Sequence, residues 1–148
     1  MTDYHLLNEQ LQIITQDVPH RIANLANASA LLFHSIERIN WAGFYLCEND
    51  LLVLGPFQGK AACIEIPVGK GVCGSAVAQN RTLVVENVHK FKGHIACDSN
   101  SLSEIVIPIR KDGEIVGVLD IDSPIENRFS DEDRLGLEQF VRIIENIW

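Results

Sequence analysis

Residues 104–122 read EIVIPIRKDGEIVGVLDID. Two apolar runs, from Glu104 to Arg110 and from Glu114 to Asp122, flank Lys111-Asp112-Gly113. An Asp-Gly pair between apolar runs is among the strongest local signals for a β-hairpin. Side chains alternate along a strand, so Asp120 and Asp122 fall on one face of the second run. Two acids inside an otherwise apolar run are costly to bury without a partner. Asp120 and Asp122 could bind an ammonium group or hold a proton for general acid catalysis, or equally form a solvated sheet end before Ser123-Pro124, as Glu104 could be an exposed strand end.

Reading outward, Ser130-Asp131-Glu132-Asp133 opens a helix, with Ser130 and Asp133 at capping-box spacing. Leu135, Leu137, Phe140, Val141, Ile144 and Ile147 form its expected apolar face. Upstream, Thr82 to Glu86 reads as a short strand and Val72 to Gln79 as a short helix. Ala61 to Val68 alternates around Ile64 and Ile66, which suggests another strand. Ile39 to Cys47 is rich in aromatic and branched residues, Glu48-Asn49-Asp50 is a turn signal, and Leu51 to Leu54 resumes the apolar run. The first 35 residues are expected to be helical. Leu7, Leu11 and Ile14 recur at helical spacing, with Leu6 and Ile13 widening the stripe. Asp17-Val18-Pro19 interrupts it, because proline disfavours helix in the residue before it. A second helix follows from His20 to about His34, with Ile22, Leu25, Leu31 and Leu32 on its apolar face. Helices at both ends with hairpins between them describe an α+β fold around an antiparallel sheet.

Composition narrows the class. The chain has 148 residues, with 12 Lys and Arg against 20 Asp and Glu, for a formal net charge of −8. Residues 1–148 fit one domain. The acidic balance argues against nucleic acid as a partner. No apolar stretch approaches the roughly 18–20 residues a membrane span needs. The start MTDYHLLNEQ lacks a basic segment followed by an apolar core, so a cytoplasmic location is expected.

Four cysteines, Cys47, Cys63, Cys73 and Cys97, are the first informative group for chemistry. No pair shows C-x-x-C spacing, and His89 and His94 are too far apart for a usual zinc pair, so neither a metal nor another cofactor is expected. Cys97 sits in a long polar loop from Asn87 to Ser103, near Lys90, Lys92 and His94, where positive charge favours the reactive thiolate. Cys63 and Cys73 lie at a strand and at a glycine turn, where folding could bring them close to Cys97. A low-pKa cysteine beside a second thiol is the layout of a redox cycle. Against this stands ordinary burial, since free cysteine packs well in cores. Cys47, at a strand end, is assigned to packing.

Gly69-Lys-Gly-Val-Cys-Gly74 formally matches a dinucleotide-binding turn. The helix after it has room for only about two turns, and Glu86 comes too soon for the ribose-binding acid. The glycines still permit close backbone approach, and a helix start attracts a carboxylate. Trp41 and Tyr45 share a strand face and could line a pocket for a methyl or thioether group, or simply pack in the core.

Several stretches taken together resemble one family. They are Ile39-Asn-Trp41, Gly55-Pro-Phe-Gln-Gly59 with Ala62-Cys63, Gly71-Val-Cys-Gly74, Gly93-His-Ile-Ala-Cys-Asp98 running on to Ser103-Glu-Ile-Val106, and Gly117-Val-Leu-Asp-Ile-Asp122. They are similar to the free methionine-(R)-sulfoxide reductases, which are single GAF-domain enzymes. The resemblance runs from about Leu31 to the C-terminus. It implies a six-stranded antiparallel sheet flanked by helices, with a ligand pocket on one face. It implies reduction of free L-methionine-(R)-sulfoxide to methionine, with Cys97 as the catalytic cysteine, Cys63 as the main resolving cysteine and Cys73 as the third of the trio. The pocket acids fall on Glu104, Asp120 and Asp122, and the pocket tryptophan on Trp41. A thioredoxin-type reductant and a homodimer, with the N-terminal helices as interface elements, are also implied. Two rival readings remain at this point: a small-molecule sensor without catalysis, and a thiol redox sensor without a substrate of its own.

Overall fold

The computed structural model describes residues 1–93 and 100–148. Two helices open the chain, α1 (Tyr4–Thr15) and α2 (Arg21–Ser35). Strands β1 (Trp41–Glu48), β2 (Leu51–Gly59) and β3 (Glu65–Pro67) follow, then helix α3 (Gly71–Gln79) and strand β4 (Leu83–Val85). After a 3₁₀ turn at Val88–Lys90 come β5 (Ser103–Lys111), β6 (Glu114–Ser123) and the closing helix α4 (Asp131–Asn146). The strands form one six-stranded sheet in the order β3-β2-β1-β6-β5-β4. Every neighbouring pair is antiparallel. This is the sheet the resemblance implies, and among the described residues it has no parallel crossover of the kind a dinucleotide fold needs.

The hairpin between β5 and β6 turns through Asp112 and Gly113, at φ 54° and 81°. Both central residues thus take the positive φ that a two-residue hairpin turn needs. The turn fixes the register, pairing Lys111 with Glu114 and, at the far end, Glu104 with Asp122. In β2, Gly55 and Pro56 form a bulge opposite Phe44. Proline has no N–H to give the ladder, so a bulge accommodates it.

The sheet divides the interior into two layers. One face carries Ala42 and Phe44 of β1, Ile105, Ile107 and Ile109 of β5, and Leu119 and Ile121 of β6. These pack against Leu7 and Leu11 of α1, Leu25 and Leu32 of α2, and Leu137, Phe140 and Ile144 of α4. The other face carries Trp41, Tyr45, Val106 and Val118, and meets Val72, Cys73 and Ala76 of α3. The alternation of β6 explains the split. Leu119 and Ile121 point to the helical layer, while Asp120 and Asp122 point to the α3 side.

The capping box on α4 is present: the Ser130 hydroxyl accepts from the Asp133 N–H, and the Asp133 side chain accepts from the Ser130 N–H. The Asp133 carboxylate also accepts a 2.6 Å hydrogen bond from the Tyr4 hydroxyl and pairs with Arg128 at 3.1 Å.

Three details differ from the sequence reading. In α1 the buried stripe is Leu7, Leu11 and Thr15, while Leu6, Ile13 and Ile14 face solvent. A helix lying on one side of the core buries a narrower stripe than its apolar content suggests, and Thr15 joins it by donating its hydroxyl to the Leu11 carbonyl. Ile22 of α2 and Leu135 of α4 are exposed for the same reason. The third strand is only three residues long, so Ile64 lies before it and is exposed, whereas Ile66 is buried. None of the described helices is long and apolar enough to cross a membrane.

Candidate functional site

A cavity of about 50 Å³ opens on the α3 side of the sheet. Its floor follows from strand register. Trp41 pairs with Asp122 across β1 and β6, and Asp122 pairs with Glu104 across β6 and β5. One row of the sheet therefore presents Trp41, Asp122 and Glu104 side by side. In the next row Asp120 lies between Gly43 and Val106. The roof is the first turn of α3, where Gly71, Val72 and Cys73 line the cavity. The wall is Lys60, Ala61 and Ala62, the segment that leaves β2.

Trp41 and Tyr45 occupy one face of β1, as their spacing predicts. Their rings stack at 6.0 Å between centroids, and Phe57 stacks on Trp41 from the other side at 5.1 Å. Each polar tip finds a carbonyl. The Trp41 indole donates to Lys60 O at 3.1 Å, and the Tyr45 hydroxyl donates to Cys63 O at 2.8 Å. The aromatic pair thus forms an apolar wall and ties down the segment carrying Cys63. Burial, with Asp120 nearby, pushes the Tyr45 hydroxyl far above its ordinary range, so it stays a neutral donor.

The acids are gathered, not solvated. Glu104 and Asp120 are buried, and both line the cavity with the half-buried Asp122. Burial, reinforced by the charges of Asp120 and Asp122, lifts the Glu104 carboxyl well above the usual carboxylate range. Burial also raises Asp120, although hydrogen bonds involving Glu104, Cys73 and Asp122 offset part of this. Carboxyls gathered this closely disfavour one another's ionised forms, and burial pushes both Glu104 and Asp120 toward the neutral acid. Asp120 Oδ1 is buried with no hydrogen-bond partner among the described residues. Such an orphaned acceptor costs free energy unless a ligand satisfies it.

The cysteines separate clearly. Cys73, on α3, is buried with its Sγ 3.9 Å from Glu104 Oε2. Burial and the surrounding carboxyls raise its thiol well above the ordinary range, so it rests as a thiol and not a thiolate. Cys63 is disulfide-bonded, while Cys47 and Cys73 are free. Cys47 is half-buried against the second apolar layer, in keeping with packing. Cys97, with His94 and Asp98, lies outside the described residues. His89 sits in the 3₁₀ turn at Val88–Lys90 and is not among the residues lining the cavity.

Lys60, Ala61 and Ser101 also line the cavity, and sequence reasoning assigned them no role. Lys60 follows the Gly-Pro-Phe-Gln-Gly stretch directly, which was a usable signal. Ser101 had none, since its place depends on a long-range hydrogen bond with Asn40 at 3.3 Å.

Residues 7–148 match the GAF domain. Over 144 residues the chain is 54% identical to the free methionine-R-sulfoxide reductase of Escherichia coli, covering 97% of this chain and 87% of that protein. The reduced form of fRMsr of Staphylococcus aureus superposes with a TM-score of 0.97 at 58% identity, covering 99% of this chain and 96% of that one. The free methionine-R-sulfoxide reductase of Neisseria meningitidis, solved in complex with its substrate, superposes with a TM-score of 0.94 at 43% identity, covering 97% and 87%. With matches this close over nearly the whole length, the chain belongs to the GAF domain family and, within it, to the free methionine-R-sulfoxide reductases.

Proposed function

We propose that this protein reduces free L-methionine-(R)-sulfoxide to L-methionine, using thiols as the source of electrons. The observation that carries the reading is Glu104, held in one sheet row with Asp122 and Trp41, where burial favours its neutral, proton-donating form. It supplies a proton donor beside an apolar wall, in a cavity of a family whose members are named for this activity.

The substrate's methyl group lies against Trp41 and Tyr45, and its sulfoxide oxygen faces the acids. A proton given to that oxygen makes the sulfur electrophilic. The Cys97 thiolate attacks the sulfur and forms an S–S bond, while the S–O bond breaks and the doubly protonated oxygen leaves as water. Water then attacks the Cys97 sulfur, the S–S bond breaks with its electron pair going to methionine, and Cys97 is left as a sulfenic acid with one proton released. The Cys63 thiol then attacks Cys97, expelling water and leaving a disulfide. An external dithiol of the thioredoxin type reduces that disulfide through a mixed disulfide and completes the two-electron cycle. The oxidised state of Cys63 in this structure supports its part as the resolving thiol. Cys73 is the third thiol of the site, held in reserve by its raised pKa.

Selectivity for the free amino acid follows from the cavity walls. Asp120, with its orphaned oxygen, suits the ammonium group. The start of α3 at Gly71–Cys73 and the Lys60 side suit the carboxylate. A peptide-bound residue brings neither charge. A homodimer is the proposed assembly, with Leu6, Ile13 and Ile22 as the exposed apolar residues of α1 and α2.

The test is incubation of the enzyme and a dithiol with each free sulfoxide epimer and with a peptide-bound sulfoxide. Methionine is expected from the free R epimer alone. A protein that releases none from any of them is a sensor, not a reductase.

A further inference from the structure

We propose that Cys73, Glu104 and Asp120 form a binding site for a thiophilic divalent cation of the zinc class. Three elements supply the donors: the first turn of α3, the start of β5 and the middle of β6. One sulfur and two carboxylate oxygens all lie within 4.8 Å of one another. Zinc bonds of about 2.3 Å to sulfur and 2.0 Å to oxygen place tetrahedral ligand pairs roughly 3.3–3.5 Å apart. The Sγ–Oε2 edge, at 3.9 Å, is already close to that. Side-chain rotation brings the remaining edges in, and the fourth position faces the cavity, where a water completes the coordination.

A cluster of acids alone would not make a site. The independent observation is Asp120 Oδ1, an acceptor on a side chain 95% buried, with no hydrogen-bond partner among the described residues. A cation satisfies that atom directly. The thiol chooses the metal class. Sulfur favours zinc over magnesium or calcium, which take all-oxygen shells of six or more. Spacing along the chain conceals the site, since its ligands are 31 and 16 residues apart and match no zinc motif.

Cys63 is disulfide-bonded in this structure while Cys73 is free. The site therefore exists in a form of the protein where the Cys63 sulfur is not available to a metal. A cation there covers the carboxyls that line the substrate cavity, so cation and substrate exclude each other. Only that exclusion rests on the proposed reductase reading; metal binding stands without it.

The experiment is a titration of the disulfide form with cobalt(II), followed by visible and near-ultraviolet absorption. A 1:1 complex with a thiolate-to-cobalt charge-transfer band, bleached by added zinc, is expected. Cys73→Ser loses the band, Asp120→Asn weakens binding at least tenfold, and Cys47→Ser keeps the band. Glu104→Gln, nearly isosteric, reads the same site if Cys73→Ser fails to fold by circular dichroism. No thiolate band in the wild type, a band surviving in Cys73→Ser, or unchanged affinity in both carboxyl variants overturns the site. In a parallel assay of methionine release, zinc should raise the apparent KM for the sulfoxide. Unchanged KM with intact cobalt binding overturns the exclusion, and an inactive enzyme that binds cobalt counts against the reductase reading alone.

Discussion

The Tyr45 hydroxyl donates a 2.8 Å hydrogen bond to the carbonyl oxygen of Cys63, joining positions 18 residues apart in the chain. Four residues earlier on the same strand face, the Trp41 indole holds the carbonyl of Lys60. The N–H of Leu54 holds the carbonyl of Ile64. The backbone on both sides of Cys63 is thus pinned to β1 and β2. In the proposed cycle, Cys63 must meet a sulfenic acid with its sulfur correctly aimed, and these bonds hold it in place.

Tyr45→Phe removes one of these bonds and keeps the ring. A typical net hydrogen bond is worth about 1 kcal/mol, which converts to roughly a fivefold change in rate. Disulfide closure is expected to slow by about that factor relative to the first release of methionine. Rapid chemical quench, with alkylation of free thiols, measures both. If both steps slow equally, Tyr45 acts on substrate binding and not on Cys63.

The two proposed thiol roles predict distinct losses. Cys97→Ser should release no methionine even in a single turnover, because burial raises the Cys47 and Cys73 thiols above their ordinary range and Cys63 is assigned the resolving step. Cys63→Ser should release about one methionine per chain and then stall as a sulfenic acid, which a dimedone adduct detects by mass spectrometry. Full single-turnover release by Cys97→Ser would move the nucleophile elsewhere, with Cys73 the first alternative.

Glu104 makes the pH dependence specific. Its carboxyl is raised well above the usual range by burial and by Asp120 and Asp122. The folded protein therefore keeps a proton that the unfolded chain releases near the ordinary Glu pKa. Stability falls with pH wherever the folded state binds more protons, so this group costs stability as pH climbs from the unfolded value to the folded one. The proton donor is lost over the upper part of the same window, and the first-turnover rate falls with it. Glu104→Gln should flatten the pH dependence of Tm and lower the first-turnover rate by about 10²-fold or more, the usual weight of a general acid. Thermal melts at several pH values and single-turnover assays check each half. An unchanged rate in Glu104→Gln would pass the proton to Asp122.

Much of this was legible in local sequence. The hairpin at Asp112-Gly113, the shared face of Asp120 and Asp122, and the α4 cap all rest on interactions a few residues apart. What was not legible is register across strands and contact between elements. Glu104 opposite Asp122, and Cys73 against Glu104, depend on how distant segments align. The exposed Ile13, Ile14 and Leu135 show the same limit. Periodicity tells which residues share a helix face, but the shape of the surface below decides how much of that face is covered.

Gly136 offers a prediction on which two local rules disagree. It lies within α4, where glycine costs about 1 kcal/mol against alanine, so Gly136→Ala should stabilise on propensity alone. A Cβ there would stand well inside van der Waals contact with the Tyr4 ring. Overpacking costs about 1–3 kcal/mol, and displacing the ring also strains the 2.6 Å bond from Tyr4 to Asp133, worth about 1 kcal/mol more. The clash and the lost bond outweigh the propensity gain, so the variant should be less stable by about 1–3 kcal/mol. Its α1 should also exchange amide hydrogens faster. In a Tyr4→Ala background the obstruction is gone, and the same substitution should become neutral or stabilising. Urea unfolding of the four chains completes the cycle. A Gly136→Ala single variant more stable than the parent would show that Tyr4 moves aside freely and that α1 is not held to α4 through this ring.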